Sequence, residues 1–199
     1  MPVLLDPRFT EEDHRYSDDA GNVYPSVSEL IGRYWPIDRR LYQESGAQRG
    51  KDVHELTAQM DRSTTDTVAI EDPTLQLYLD GWERFTREMV AEFVWIEQRF
   101  IDTEAGFAGT TDRLVRLKNG QLFILDIKTG RPEGWHELQQ GAYALAARKC
   151  GFIVDGIGSV QINGNGKYQF VRHDIHRAIS AWEALTEWHQ YRQEKRLQR

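Results

Sequence analysis

Asp112, Asp126 and Lys128 are the residues of this chain best suited to chemistry. They fall in one stretch, GFAGTTDRLVRLKNGQLFILDIKT, from Gly106 to Thr129. Its two apolar-rich runs, Phe107–Leu117 and Gln121–Ile127, flank an Asn119-Gly120 dipeptide, which between such runs is a strong hairpin signal. Side chains alternate along a strand, so Asp126 and Lys128 share a face while Ile127 takes the other. Pairing across the turn brings Asp112 onto that face from the neighbouring strand. Carboxylates are hard oxygen ligands that suit Mg2+ or Mn2+. An ammonium beside them can position a water or stabilise charge developing on a phosphorane. The grouping fits metal-assisted hydrolysis of a phosphate ester.

The elements that must position these residues follow from periodicity. Residues 14–28 read as a short hairpin with a turn near Asp19–Gly21, after which Ser26 or Ser28 caps a helix over Glu29–Tyr34 that Pro36 terminates. Helical patterns follow over Asp38–Glu44 and Gln48–Met60, then a polar loop at Ser63–Glu71. Asp72-Pro73 opens a long amphipathic helix to about Val90, with Leu75, Leu79, Trp82 and Phe85 on one side. Strands are expected at Phe93–Ile101, Phe107–Leu117 and Gln121–Lys128, a helix at Trp135–Lys149, and strands at Ile157–Asn163 and Tyr168–Arg172. A final helix, Ile175–Lys195, should bury Ile179, Trp182, Leu185 and Trp188.

Composition sets bounds on what the chain can be. Its 199 residues, 40% of them hydrophobic, with six tryptophans, support a single folded domain rather than a disordered chain. No apolar stretch approaches membrane-spanning length, and the acidic, polar N-terminus lacks a signal-peptide pattern, so a soluble cytoplasmic protein with no membrane association is expected. Cys150 is the only cysteine. It excludes an internal disulfide and a four-cysteine iron–sulfur cluster, and its place at the end of an apolar helical pattern favours a buried bystander over a reactive thiol. The net charge of −6 argues against nonspecific coating of nucleic acid, but the charge is uneven: the first 90 residues carry 18 acids and 10 bases, the remainder 13 and 15. Phosphate contacts need only a local basic stripe, for which Arg131, Arg148, Lys149, Arg192, Lys195, Arg196 and Arg199 are candidates, with solvated surface charge the commoner reading of each taken singly.

Four motifs in order then carry a resemblance. They are Arg49-Gly50-Lys51-Asp52-Val53-His54, Gly109-x-x-Asp112, Asp126-Ile127-Lys128-Thr129-Gly130 and Gln139-x-x-x-Tyr143. Together, over roughly residues 45 to 150, they resemble the PD-(D/E)xK nuclease superfamily, in particular its RecB-like, phage-exonuclease and Cas4-like branch, here without the iron–sulfur cysteines. The resemblance implies a restriction-endonuclease-like α/β fold: a mixed sheet sandwiched by helices in an αβββαβ core. The order of elements read from periodicity agrees with it. The core then spans about 45–172, with an N-terminal hairpin and helix extension over 1–44 and a C-terminal helix over 174–197.

The resemblance also assigns roles. Asp112 and Asp126 would hold the metal, the backbone carbonyl of Ile127 would complete the shell, and Lys128 would serve the attacking water or the phosphorane; a surface lysine paired with Asp126 is its alternative. His54 matches the helix that supplies a metal-binding histidine, although Val53, Leu56 and Met60 beside it also allow a half-buried helix histidine. Glu97, in VWIEQRF, is either a further metal ligand or an exposed strand acid, because alternation puts it on a face with Trp95 and Arg99 that gives no clean burial signal. Gln139 and Tyr143 share a helix face and match a pair that orients the site and contacts the DNA backbone or terminal nucleotide; a core tyrosine with glutamine at its rim is the other reading. Thr129 and Arg131 could donate to a phosphate, and Gly50 and Gly130 would allow close approach and a sharp exit from the strand; Tyr34, Trp35 and Trp135 could stack on unpaired bases, although aromatics at such positions are more often core.

The leading expectation is a Mg2+- or Mn2+-dependent DNA exonuclease in recombination, repair or DNA processing, acting on linear duplex or single strands. Its candidate protein partners are a single-strand annealing protein or a helicase, since the chain has no GxxxxGK[ST] loop for a motor of its own. An endonuclease with the same active site is the alternative, and a non-catalytic nucleic-acid-binding protein on this fold is third.

Overall fold

The computed structural model describes residues 3–35, 44–63 and 72–197. Near the N-terminus, β1 (Val3–Leu5), β2 (Arg8–Thr10), β3 (Arg15–Ser17) and β4 (Val23–Tyr24) precede helix α1 (Val27–Tyr34). Ser26 caps α1: its Oγ accepts from the Glu29 N–H at 3.1 Å, satisfying a donor that has no partner inside the helix. Helix α2 (Glu44–Arg62) is followed by α3 (Pro73–Met89), where Asp72 caps through the Thr74 N–H and Pro73 fills the first turn. Then come β5 (Val90–Asp102), β6 (Phe107–Leu117), β7 (Leu122–Lys128), α4 (Trp135–Lys149), β8 (Gly156–Asn163), β9 (Lys167–His173) and α5 (Ile175–Leu197). Most of the expected Asp38–Glu44 helix and of the Ser63–Glu71 loop lies outside the described residues.

Six strands form one sheet in the order β1-β5-β6-β7-β8-β9, and β2-β3-β4 form a second, smaller one. All neighbours in the large sheet are antiparallel except β7 and β8, which need the α4 crossover between them. The β6–β7 turn is built on Gly120 at φ +87, with the Leu117 N–H bonded to Gln121 O at 2.8 Å. Buried side chains of α1, α4 and α5 cover one face of the sheet, among them Ile31, Ala146 and Trp182. Val53 of α2 with Leu75, Trp82 and Phe85 of α3 cover the other. This is the mixed, helix-sandwiched sheet that the resemblance implies.

Two differences have simple causes. Strands β1 and β2, three residues each, are too short for a period-two pattern to register, yet β1 closes the edge of β5, Val3 lying opposite Asp102. Trp188 was expected in the core but is 52% exposed and stacks on Tyr191 instead. At a rise of about 1.5 Å per residue, α5 with 23 residues outruns α4 with 15, so its periodic apolar positions lose their partner after Leu185. No helix among the described residues is long and apolar enough to cross a membrane.

Helices α4 and α5 approach closely because α4 presents small residues. A Cβ on Gly141 would lie 2.4 Å from the Ala178 carbonyl oxygen, a backbone atom that cannot swing aside. Helix propensity favours Gly→Ala by about 1 kcal/mol; here overpacking reverses the sign. Gly141→Ala should destabilise the protein by about 1–3 kcal/mol in urea unfolding, and a stabilised variant would contradict this packing.

Candidate active site

The hairpin of β6 and β7 opens into a fork at its far end. Its ladder pairs Arg113–Arg116 with Leu122–Leu125 only. Past that point the Asp112 side chain takes the place of a backbone acceptor, and its Oδ2 accepts from the Ile127 N–H at 2.8 Å. His54 reaches the same peptide from α2, its Nε2 2.9 Å from Ile127 O. The Ile127 side chain is fully buried in the core under α2 and α3. Alternation then turns Asp126 and Lys128 to the other face, where Lys128 Nζ stands 2.8 Å from Asp126 Oδ2.

Two adjoining groups of side chains result. In one, His54, Glu97 and Asp112 each offer a ligand atom, all within 4.8 Å of one another; His54 Nδ1 is 3.5 Å from Asp112 Oδ2 and 3.8 Å from Glu97 Oε1. In the other, Asp126 and Lys128 continue into Gln139, whose Oε1 lies 3.4 Å from Lys128 Nζ and whose Nε2 donates to Tyr143 Oη at 2.8 Å. Burial alone would push the His54 imidazole down, but Asp112 and Glu97 outweigh it and hold its pKa up at about 9. Burial pushes Asp126 up to about 6 despite the ammonium of Lys128, with Asp112 adding repulsion. Burial opposes ionisation of Glu97 as well, yet His54 and Arg113 keep its carboxyl below the ordinary range. Those acids favour a proton on His54, and a divalent cation among them would instead favour the neutral imidazole that can ligate it.

That donor set fits a divalent cation. Carboxylate oxygens, a carbonyl oxygen and a neutral imidazole are ligands of Mg2+, Mn2+ and related ions. Asp126 is buried, with the Lys128 ammonium 2.8 Å from its Oδ2 as a cationic neighbour.

Tyr143 differs from the expectation of direct contact with nucleic acid. It is 4% exposed, its ring set edge-on against Phe100 at 5.9 Å between centroids. Burial and the charges of Asp112 and Asp126 push its pKa well above the usual tyrosine value, so it stays a neutral phenol. The half-buried Gln139 occupies the rim, held there by Tyr143. Thr129 lies beside the start of α2, where a Cβ on Gly50 would sit 3.7 Å from Thr129 Oγ1. The Gly130 carbonyl accepts from Gln161, while Arg131 is exposed. Cys150 sits half-buried at the C-cap of α4, and burial raises its thiol pKa, which leaves it unreactive.

Glu97 also departs from simple alternation. A register shift between Phe93 and Trp95, and a left-handed backbone at Glu97 itself (φ +50), turn the strand. Trp95 therefore packs in the core on the α4 side, while the Glu97 carboxylate pairs with Arg113 beneath α2. A left-handed non-glycine residue costs of order 1–3 kcal/mol and persists only where its surroundings hold it.

What holds it is Arg113, which the motif reading passed over. Its side chain is fully buried. Nε donates to Asp61 Oδ2 at 2.6 Å, Nη1 to Glu97 Oε1 at 2.8 Å and to the Asp112 carbonyl at 2.7 Å, and Nη2 to Thr57 Oγ1 at 3.2 Å. Trp82 lies against the guanidinium at 5.5 Å and donates Nε1–H to Asp61 Oδ1 at 3.0 Å. The signal was present in the sequence. Arg113 shares a strand face with Val115 and Leu117, and Asp61 extends the Val53–Thr57 stripe of α2 at spacing four, so each apolar stripe carries one charge and the charges are opposite. Removing one partner strands the others. Arg113→Met should cost about 3–5 kcal/mol in urea unfolding, whereas Arg116→Met, exposed on the same strand, should change stability by no more than about 0.5 kcal/mol. Equal effects would remove Arg113 from its central place.

The comparison with known proteins agrees with this geometry. No curated protein matches the chain. The family model of the PD-(D/E)XK nuclease superfamily matches residues 36–197, a span that includes α2, the fork, α4 and α5. With that match over most of its length and acids, lysine and histidine gathered at the strand fork, the chain belongs to the PD-(D/E)XK nuclease superfamily.

Proposed function

We propose that the protein is a Mg2+- or Mn2+-dependent deoxyribonuclease that digests DNA from its ends. The observation that carries this is the convergence of Asp112, Asp126, the Ile127 carbonyl, His54 and Lys128 on one fork between β6 and β7. Membership of a nuclease superfamily supports a metal-dependent nuclease acting on nucleic acid. The exonuclease reading rests on the ordered motifs RGKDVH, GxxD, DIKTG and QxxxY, which resemble the RecB-like and phage-exonuclease branch.

Asp112, Asp126 and the Ile127 carbonyl would hold the cation, with His54 and Glu97 at its edge. When bound, that ion supplies a Lewis acid for the phosphoryl oxygen and lowers the pKa of a coordinated water. Lys128, tethered between Asp126 and Gln139, places its N–H donors where negative charge builds on the phosphorane. Gln139, braced by Tyr143, is the side chain positioned to hydrogen-bond the strand being cut. Arg113 acts at one remove, orienting Glu97 and the Asp112 peptide.

End-labelled linear duplex, covalently closed circular duplex and single-stranded DNA, each with Mg2+ or Mn2+, test the reading together. Linear substrates should shorten progressively, circles should survive, and EDTA should stop digestion. Asp126→Ala should abolish cleavage, and Lys128→Ala should slow it by ~10²-fold or more, the scale of losing one group that stabilises a transition state, while metal binding is largely kept. Rapid cutting of closed circles would make the enzyme an endonuclease with the same site. Full activity in chelator would sink the metal-dependent mechanism.

A further inference from the structure

Away from the fork, the last turn of α1 and the C-terminal half of α5 enclose a groove of about 250 Å³ lined by Arg33, Tyr34, His189, Arg192, Gln193 and Arg196. The space is several times the ~30 Å³ share of one water, enough for a phosphodiester group. His189, Arg192, Gln193 and Arg196 recur at spacings of three and four, so they form one face of α5. Tyr34 Oη is hydrogen-bonded to His189 Nδ1 at 2.8 Å and fixes the two helices together. Arg192 lies 5.9 Å from the Tyr34 ring centroid. Glu29 is paired with Arg33, but among the described residues no acid pairs with Arg192 or Arg196. Three arginines against one glutamate give a local charge of +2 in a chain whose net charge is −6. A local patch of this sign attracts anions to the groove.

Aromatic side chains connect this groove to the fork. The Trp135 ring lies 5.6 Å from Lys128 Nζ. Trp35 lies against the preceding residue, since a Cβ on Gly134 would be 3.4 Å from its indole. Trp35 is 44% exposed, and Tyr34 follows it into the groove. An exposed indole one residue along the chain from a groove lined by arginines offers base stacking together with phosphate contact, the combination that holds single strands without reading their sequence.

We infer that this groove is a track for single-stranded nucleic acid, which leaves the fork past Trp135 and Trp35 and lays its phosphates against Arg192 and Arg196. The inference rests on the nuclease reading for its direction, but its test is a binding measurement that does not need catalysis. Fluorescence anisotropy of a labelled oligothymidylate, in EDTA, is followed across a salt series. Replacing both exposed arginines, Arg192→Ala with Arg196→Ala, should weaken binding by roughly 10-fold or more and lower the slope of log affinity against log salt by about 1.4, roughly 0.7 for each lost contact to a single-strand phosphate. Trp35→Ala should weaken binding several-fold and leave that slope unchanged, because it removes stacking and no charge. Hydrolysis of a mononucleotide ester, too short to reach the groove, should be unaffected by the arginine substitutions.

Unchanged affinity and salt slope in the double variant would overturn the track. So would competition by inorganic phosphate at a site whose arginines make no difference to the oligonucleotide, which would mark a small-anion site. A protein that binds oligothymidylate through Arg192 and Arg196 yet hydrolyses nothing would sustain the track and sink the nuclease reading. Hydrolysis that proceeds with binding indifferent to the arginines would do the reverse.

Discussion

A guanidinium buried with no access to water has to be neutralised by its neighbours, and Arg113 draws four elements together in meeting that demand. Four of its five N–H donors are used, on Asp61 and Thr57 of α2, Glu97 of β5 and the Asp112 carbonyl of its own strand, while Trp82 of α3 covers its plane. Such a network is a poor source of net stability, since the desolvation of ions is large. Its effect is to tie α2 to β5 and β6, since one guanidinium bridges Asp61 and Glu97. That placement also sets His54, two turns earlier on α2, over the Ile127 carbonyl.

The fork itself follows from a substitution of acceptors. Where β6 and β7 part, the Ile127 N–H would lose its ladder partner, and the Asp112 carboxylate supplies one. The carboxylate is thereby fixed by backbone geometry and not by a flexible surface contact. Asp126 is fixed differently, by parallel pairing of β7 with β8 at Ser159 and by alternation against the buried Ile127. Two acids oriented by separate constraints, with Lys128 and His54 between and beside them, give a site that is strongly polarised before any ligand arrives. Preorganisation of this kind is where electrostatic catalysis draws its strength.

Much of this was legible in the sequence, and the remainder was hidden for identifiable reasons. Strand β6 and helix α4 fall on the residues that periodicity marked, because each has one strongly apolar face and a clear stop: Asn119-Gly120 for β6, Cys150-Gly151 for α4. The Asp126, Ile127, Lys128 alternation follows from strand geometry alone. Glu97 was not legible, since a register shift and a left-handed residue break the period on which the reading depended. Tyr143 was ambiguous because spacing reports which face a side chain shares and not how deep it lies. Arg113 was legible in principle, as a charge on an apolar stripe facing another such stripe, but it belongs to no motif. Trp188 failed because helix periodicity carries no information about where the partner helix ends.

The account depends on the fork being a cation site, and diffraction from a crystal soaked in Mn2+ tests it most directly. Anomalous scattering should place one strong peak at the fork, within about 2.0–2.6 Å of oxygens from both Asp112 and Asp126, with Lys128 displaced from its contact with Asp126. A peak bound elsewhere, or a fork that stays empty at saturating Mn2+ with Lys128 still on Asp126, would contradict it.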